Sequence, residues 1–439
     1  MPSERRPGRR RWSRLLRLLL ASAVLVAGAA CESGRVKRPE VATTTAADPM
    51  VERYLTDALN LIQQHAFYAD RVDWPAVRAE AGRRTADATT TAGTYDTIRW
   101  VLSKLGDRHS QLLTPEQASK LKAGGAAGRS FGMLALFPER VVIDVEPGGG
   151  AERAGVRVGD IVLAVEGRPP QGKEVLDLPT PQTGAGPARV RLDLRRGHDT
   201  VQLTVEATGL PAVRPPRARP LSASVNLLEL FAVVGTTGDP ESSRYVRAAY
   251  DVIRGVSTAT TCGWVVDLRR NTGGSLPPML QAVGPILGDG KAVGYRDRNG
   301  PTQWFAIENA TLAGMGPAVA VTGRPPRLRR PQPPVAVLTS RLTGSSGEGV
   351  VMAFRGRPDS RSFGEPTAGV PTGNAAYPLS DRAELHLTEG IGVDRTGATY
   401  QARIQPDRPV ATDWTRYGLP ADPVLQAATR WLEGRCVRR

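Results

Sequence analysis

Ser345 and Glu348 stand three residues apart in Thr339-Ser340-Arg341-Leu342-Thr343-Gly344-Ser345-Ser346-Gly347-Glu348. This is capping-box spacing, which predicts that Ser345 sits at a helix N-terminus. An apolar helix pattern follows over Gly347 to Arg355, with Val350, Val351 and Phe354. A buried-strand pattern, Pro334 to Leu338, precedes it. A hydroxyl held at such a junction has unpaired backbone N–H groups beside it and the positive end of the helix dipole behind it. A serine nucleophile and its oxyanion need those conditions. Ser-x-x-Glu alone equally describes an ordinary helix cap.

Four further segments extend the pattern: Gly364-Glu365-Pro366-Thr367-Ala368-Gly369, Asp267-Leu268-Arg269-Arg270-Asn271-Thr272-Gly273-Gly274, Gly106-Asp107-Arg108-His109-Ser110 and Ile404-Gln405-Pro406-Asp407. Together with the Ser-Ser-Gly-Glu turn, in the family's order along the chain and across roughly residues 50 to 432, they resemble the C-terminal processing (tail-specific) peptidase family. The better-known branch of that family places a lysine base directly after the last glycine of the Gly-Glu-Pro-Thr-x-Gly loop. Here that position is Val370, and no lysine follows Lys291. A Ser/Lys dyad is absent.

The remaining base candidates are four histidines: His65, His109, His198 and His386. His65 lies in a helical pattern, His198 in the hairpin turn Arg196-Gly197-His198-Asp199, and His386 in the alternating segment Ala383 to Leu387. His109 follows a helix-ending Gly106-Asp107 and begins a loop. The resemblance points to the branch, like the tricorn core protease, in which a histidine at this motif is the base. Imidazole accepts a serine proton near neutral pH, which an unperturbed lysine does not.

For the oxyanion, Gly263 to Leu268 reads as a short apolar strand that breaks into Arg269-Arg270-Asn271-Thr272-Gly273-Gly274. Two glycines allow close backbone approach to a ligand, and equally serve a strand-to-helix connection with positive φ. The resemblance implies a hole formed by Gly273 or Gly274 with the amide of Ser346. To orient an imidazole, tricorn-like relatives supply a late glutamate, which this chain lacks between Gly390 and Asp422. The nearest acidic residues are Glu389, Asp394 and Asp381. Asp394 is preferred, although an aspartate before a turn also caps that turn, and Ser110 is an alternative support for His109.

The elements that must position these groups fit a chain of 439 residues, 40% of them hydrophobic. Residues 49–122 read as an N-terminal helical region, with Tyr54, Leu55, Ala58, Leu61 and Ile62, and then Ile98, Val101, Leu102 and Leu105, at helical spacing. Residues 129–208 are strand-rich. Pro147-Gly148-Gly149-Gly150-Ala151-Glu152-Arg153-Ala154-Gly155 and Gly159-Asp160-Ile161 resemble a PDZ domain, with Phe131, Gly132, Met133 and Leu134 as the peptide-carboxylate loop. After the Pro/Arg stretch 211–220, residues 221–432 alternate strand and helix. This predicts an α/β core, crotonase-like by resemblance, with the PDZ-like β domain inserted between it and the helical region. Residues 288–333 read as an irregular excursion beside the site.

Seven arginines between Glu4 and Arg17 precede the apolar run Leu18 to Ala30. Residues 1–30 therefore read as a signal peptide, Cys31 as a lipidation site and 31–48 as a tether. The expected location is outside the cytoplasm, as a bacterial membrane lipoprotein or otherwise a secreted protein. Cys262 and Cys436 do not suggest a disulfide framework, and no Cys/His metal cluster is evident. The net charge of +15 is spread along the chain and aromatics are 5%, which argues against nucleic-acid binding.

The reading is an exported serine endopeptidase acting on protein or peptide substrates without cofactor or metal. Ser345 is its nucleophile, His109 its base, Asp394 its orienting acid, and Gly273/Gly274 with Ser346 its oxyanion hole. A catalytically decayed binding or scaffold protein on the same fold, and a hydrolase of small esters or amides, are the alternatives.

Overall fold

The computed structural model describes residues 48–122, 129–173, 175–176, 178, 188–209 and 213–437. The signal segment, Cys31 and most of the tether lie outside them. Everything described below lies within one compact unit. Among the described residues no helix is long and apolar enough to cross a membrane.

The core is a six-stranded sheet. Val225–Glu229, Gly263–Asp267, Val335–Thr339 and Ser360–Gly364 run parallel in that order. Arg408–Pro409 extends one edge and the antiparallel Arg217–Pro220 the other. Val335–Thr339 is buried throughout, as expected of a parallel strand covered on both faces. Val335 and Val337 face the helices Leu276–Leu287 and Ser346–Phe354, whereas Ala336 and Leu338 meet Val424, Leu425, Ala428 and Leu432 of the helix Pro423–Val437. Cys262 and Cys436 form a disulfide with Cα atoms 5.9 Å apart, which corrects the sequence reading. The pairing is invisible in the sequence because 174 residues separate the two cysteines. Only the packing of the last helix beside the strand Gly263–Asp267 brings them together.

A second, antiparallel sheet centres on Glu384–Val393. Gln111–Leu113 pairs with it on one side and Thr372–Pro378 on the other. Gln111 stands opposite His386 and Thr372 opposite Ile391. Gly290–Asp297, Thr302–Glu308 and Thr311–Gly314 continue this sheet as a meander. The expected irregular excursion is therefore irregular only after it. The overlooked signals are Asn299-Gly300 at the first turn and the alternation of Phe305 and Ile307, both buried. The helices Pro49–His65, Trp74–Arg84 and Tyr95–Lys104 begin at Asp48, Asp73 and Thr94 and bury Leu55, Ile62, Ile98 and Val101 against Leu385 and Leu387.

The β domain is a five-stranded antiparallel sheet, ordered Met133–Leu136, Val141–Val145, Ile161–Val165, Arg189–Arg196, Asp199–Glu206, with a short helix Gly150–Ala154. Val190, Leu192, Leu194 and Val205 fill its core. It docks on the α/β core through Leu136, Val141 and Ile143 against Leu342, Trp414 and Tyr417. Asp144 meets Arg270 and Arg214 beside that contact.

Candidate active site

The strand Val335–Thr339 ends in a turn stitched to its neighbour strand by small polar side chains. Ser340 Oγ donates to Arg269 O at 2.6 Å, Thr343 Oγ1 to Leu268 O at 2.8 Å, and Gly344 N to Asn271 O at 3.0 Å. Ser345 then opens the helix with φ 49° and ψ −118°, a conformation that costs a non-glycine residue on the order of 1–3 kcal/mol. Such strain persists where the surroundings over-determine it. Glu348 supplies part of the constraint, because Oε2 accepts the Ser345 N–H at 2.9 Å.

Glu348 is fully buried. Its four acceptor contacts come from Ser345 N, Val370 N, Gly369 N and Thr367 Oγ1. Burial raises its pKa, and these hydrogen bonds oppose that rise. The carboxylate thus clamps the Gly364–Gly369 loop onto the first turn of the serine helix. Ile404 reinforces the same loop, since its N–H donates to Thr367 Oγ1 at 2.8 Å and its carbonyl accepts from Thr367 N at 3.2 Å.

His109 reaches the site from the start of the strand Gln111–Leu113. Asp107 holds its loop, because Oδ1 accepts the N–H of His109 at 2.9 Å and of Ser110 at 2.6 Å. His109 Nδ1 lies 2.7 Å from Thr372 Oγ1, and Asn374 Nδ2 donates to His109 O at 3.0 Å. Burial lowers the His109 pKa from 6.5 to about 4, only partly offset by the Asp107 charge. The imidazole is therefore neutral across the physiological range. Ser345, Ser346, Gly274, His109 and Thr372 border one cavity of about 290 Å³, walled by Leu276, Tyr295, Phe305 and Met315.

The two glycines differ. A Cβ on Gly273 would lie 2.7 Å from Ser345 Cβ, and one on Gly274 2.1 Å from Val233 O, and both have φ above 100°. No side chain fits at either. The Gly273 N–H is taken by Asn271 Oδ1 at 3.0 Å. Gly274 borders the cavity, and its carbonyl accepts the Ser346 hydroxyl at 2.6 Å.

Asp394 is not brought to His109, which corrects that expectation. Its carboxylate accepts from Thr396 N, Thr396 Oγ1, Ala398 N and Tyr400 Oη and closes its own turn. These bonds lower its pKa against the opposing effect of burial. A turn aspartate followed by Thr-Gly satisfies its oxygens locally, and little remains for a distant partner. Of the other acids, Glu389 borders the cavity but accepts from Tyr377 Oη. Asp381 accepts from Tyr54 and Tyr95. Thr372, missed in the sequence, is the side chain on His109. Its signal is faint: a hydroxyl at a strand start two residues after Val370. Asp107, two residues before His109, had a clearer one in Asx-turn spacing. His386 pairs with Glu384 at 3.2 Å, and His65 stacks on Tyr377 with ring centroids 4.4 Å apart.

In the β domain, Phe131 is buried, its carbonyl accepting from Ala151 N, while Gly132 N donates to Ser130 Oγ at 3.2 Å. Met133 and Leu134 begin the terminal strand of the sheet, whose later part is partly covered, since Leu176 N donates to Ala135 O at 2.8 Å. Among the described residues no group of His, Cys, Asp and Glu could hold a metal ion.

Residues 238–410 match the model of peptidase family S41, and residues 141–196 match a PDZ domain. The α/β core is thus similar to peptidase family S41 and the β domain to a PDZ domain. It is 26% identical over 351 residues, 75% of its length, to the chloroplastic carboxyl-terminal-processing peptidase 2 of Arabidopsis thaliana. It is 32% identical over 146 residues, 33% of its length, to the nisin-resistance protein of Lactococcus lactis subsp. lactis. These matches span 63% and 45% of the respective relatives, less than two thirds of either. Among solved structures, a lipoprotein from Streptococcus agalactiae shares the fold with a TM-score of 0.57 at 20% identity, over 88% of this chain and 98% of that one.

Proposed function

We propose that the protein is an active serine endopeptidase with Ser345 as nucleophile and His109 as base. The observation that carries this reading is the shared cavity: a strained helix-start serine and a neutral, half-buried histidine border it with the Gly274 and Ser346 backbone. With the Nδ1 proton directed to Thr372 Oγ1, His109 Nε2 holds the lone pair that takes the Ser345 proton. The Oγ–carbon bond then forms, and the carbonyl oxygen's negative charge is met by the Ser346 and Gly274 N–H groups. Gly274 is preferred to Gly273, whose N–H is already engaged. As the carbon–nitrogen bond breaks, Nε2 returns the proton to the leaving amine. Water repeats the cycle to release the acyl group.

The PDZ domain would select or present substrate ends. Export is supported by the N-terminal signal pattern and now also by the Cys262–Cys436 bond, since structural disulfides persist chiefly in oxidising compartments. Cys31 would carry a lipid that holds the protein at the membrane surface.

The missing lysine motivates the alternative of an inert scaffold. A fluorophosphonate probe separates the two. Serine-dependent labelling that Ser345→Ala abolishes supports the peptidase, and an unlabelled native protein overturns it.

A further inference from the structure

The cavity beside Ser345 has a neighbour across His109. A second cavity of about 450 Å³ also borders His109 and Thr372, along with Val370 and three arginines, Arg71, Arg108 and Arg403. All three are exposed, and none is engaged by a carboxylate among the described residues. The Arg71 guanidinium lies 4.0 Å over the Tyr68 ring, and Arg108 Nη1 reaches Ala368 O at 3.5 Å. The one carboxylate bordering this cavity, Asp107, is occupied by His109 N, Ser110 N and Ser110 Oγ. The serine-side cavity has the opposite character, bordered by Asp297 and Glu389 and by no arginine or lysine.

Given the peptidase reading, the polarity has a direction. The base that takes the serine proton returns it to the leaving nitrogen, so that nitrogen lies against His109. The acyl part lies with Ser346 and Gly274 in the serine-side cavity, and the leaving segment continues past the histidine. We propose that Arg71, Arg108 and Arg403 form a carboxylate subsite for the leaving segment of the substrate. The carboxylate is either the substrate's C-terminal group or an Asp or Glu side chain, and guanidinium groups suit both by paired charge-assisted hydrogen bonds.

The test uses the full chain and a random synthetic peptide pool in four forms: free C-terminal acid or C-terminal amide, each with Asp and Glu present or replaced by Asn and Gln. Cleavage is followed by mass spectrometry. The expected result is cleavage about tenfold or more faster for the acid form, the Asp/Glu form or both, from charge-assisted hydrogen bonds to the guanidinium groups. Which arm responds identifies the source. Arg71→Gln, Arg108→Gln and Arg403→Gln should each shrink that preference through KM, and added salt should shrink it too. Equal rates for all four pools, or a preference that survives the three arginine variants, would overturn the subsite. So would an uncut pool from a protein whose Ser345 takes the fluorophosphonate probe. An unlabelled Ser345 instead fails the peptidase reading, and this subsite falls with it.

Discussion

Ser345 and Val370 donate their backbone N–H groups to the same carboxylate oxygen, Glu348 Oε2, each at 2.9 Å. The position where the lysine-using branch carries its base is thereby held against the start of the serine helix although the lysine is gone. His109 and Val370 border one cavity.

Glu348→Ala removes the acceptor of four donors inside the protein. The expected loss is about 3 kcal/mol or more of stability, read as a lower urea midpoint, because the stranded donors pay full desolvation. Glu348→Gln, which keeps an acceptor oxygen, should fall between the two. A Glu348→Ala midpoint equal to the native one would mean that this carboxylate does not hold the loop.

Ser345→Ala and Ser345→Gly should both abolish probe labelling, with hydrolysis falling on the order of 10⁴-fold. They should differ in stability. Glycine accepts φ 49° freely, so the glycine variant should exceed the alanine variant by about 1 kcal/mol. An alanine variant as stable as the glycine one would remove the argument from strain, and labelling that survives Ser345→Ala but not Ser346→Ala would move the nucleophile.

With His109 depressed to about 4 by burial, its imidazole is largely deprotonated from about one pH unit above that value. The acidic limb of kcat/KM should therefore lie near pH 4, well below the 6.5 of an unperturbed imidazole, with protonation below it abolishing turnover. His109→Ala should cost as much as losing the serine. Thr372→Val should lower kcat about tenfold, the worth of one neutral hydrogen bond. A limb at pH 6.5 would show that His109 titrates as a solvated group.

Val370→Lys places a fourth cation beside Arg71, Arg108 and Arg403. Like-charge repulsion would hold His109 neutral, while the ammonium would crowd the cavity wall and carry a desolvation cost. The variant is expected to hydrolyse peptides more slowly than the native protein, and to remain inactive when combined with His109→Ala. An inert native protein that gains serine-dependent activity on Val370→Lys would establish the scaffold reading instead.

The legible parts of this molecule were those written in local spacing. The serine helix start lay in Ser345-x-x-Glu348, the first helices in their apolar period, and the β-domain hairpin in its alternation about Gly197-His198. What resisted reading depends on elements far apart in sequence. Thr372 meets His109 only because both outer strands align on Glu384–Val393. Asp394, similar in type to the acid being sought, is consumed by its own turn. The choice between Gly273 and Gly274 turned on one side chain, Asn271, whose direction no pattern encodes.

The bond between Cys262 and Cys436 closes a covalent ring of chain around the parallel strands Gly263–Asp267, Val335–Thr339 and Ser360–Gly364 and around Ser345 itself. A single backbone cut among residues 320–325, mostly exposed, would open the ring without releasing a fragment. The nicked molecule would keep its serine and its last helix tethered, run as one band without reductant, and separate into two pieces only with it. A wound there need not mean the loss of a part.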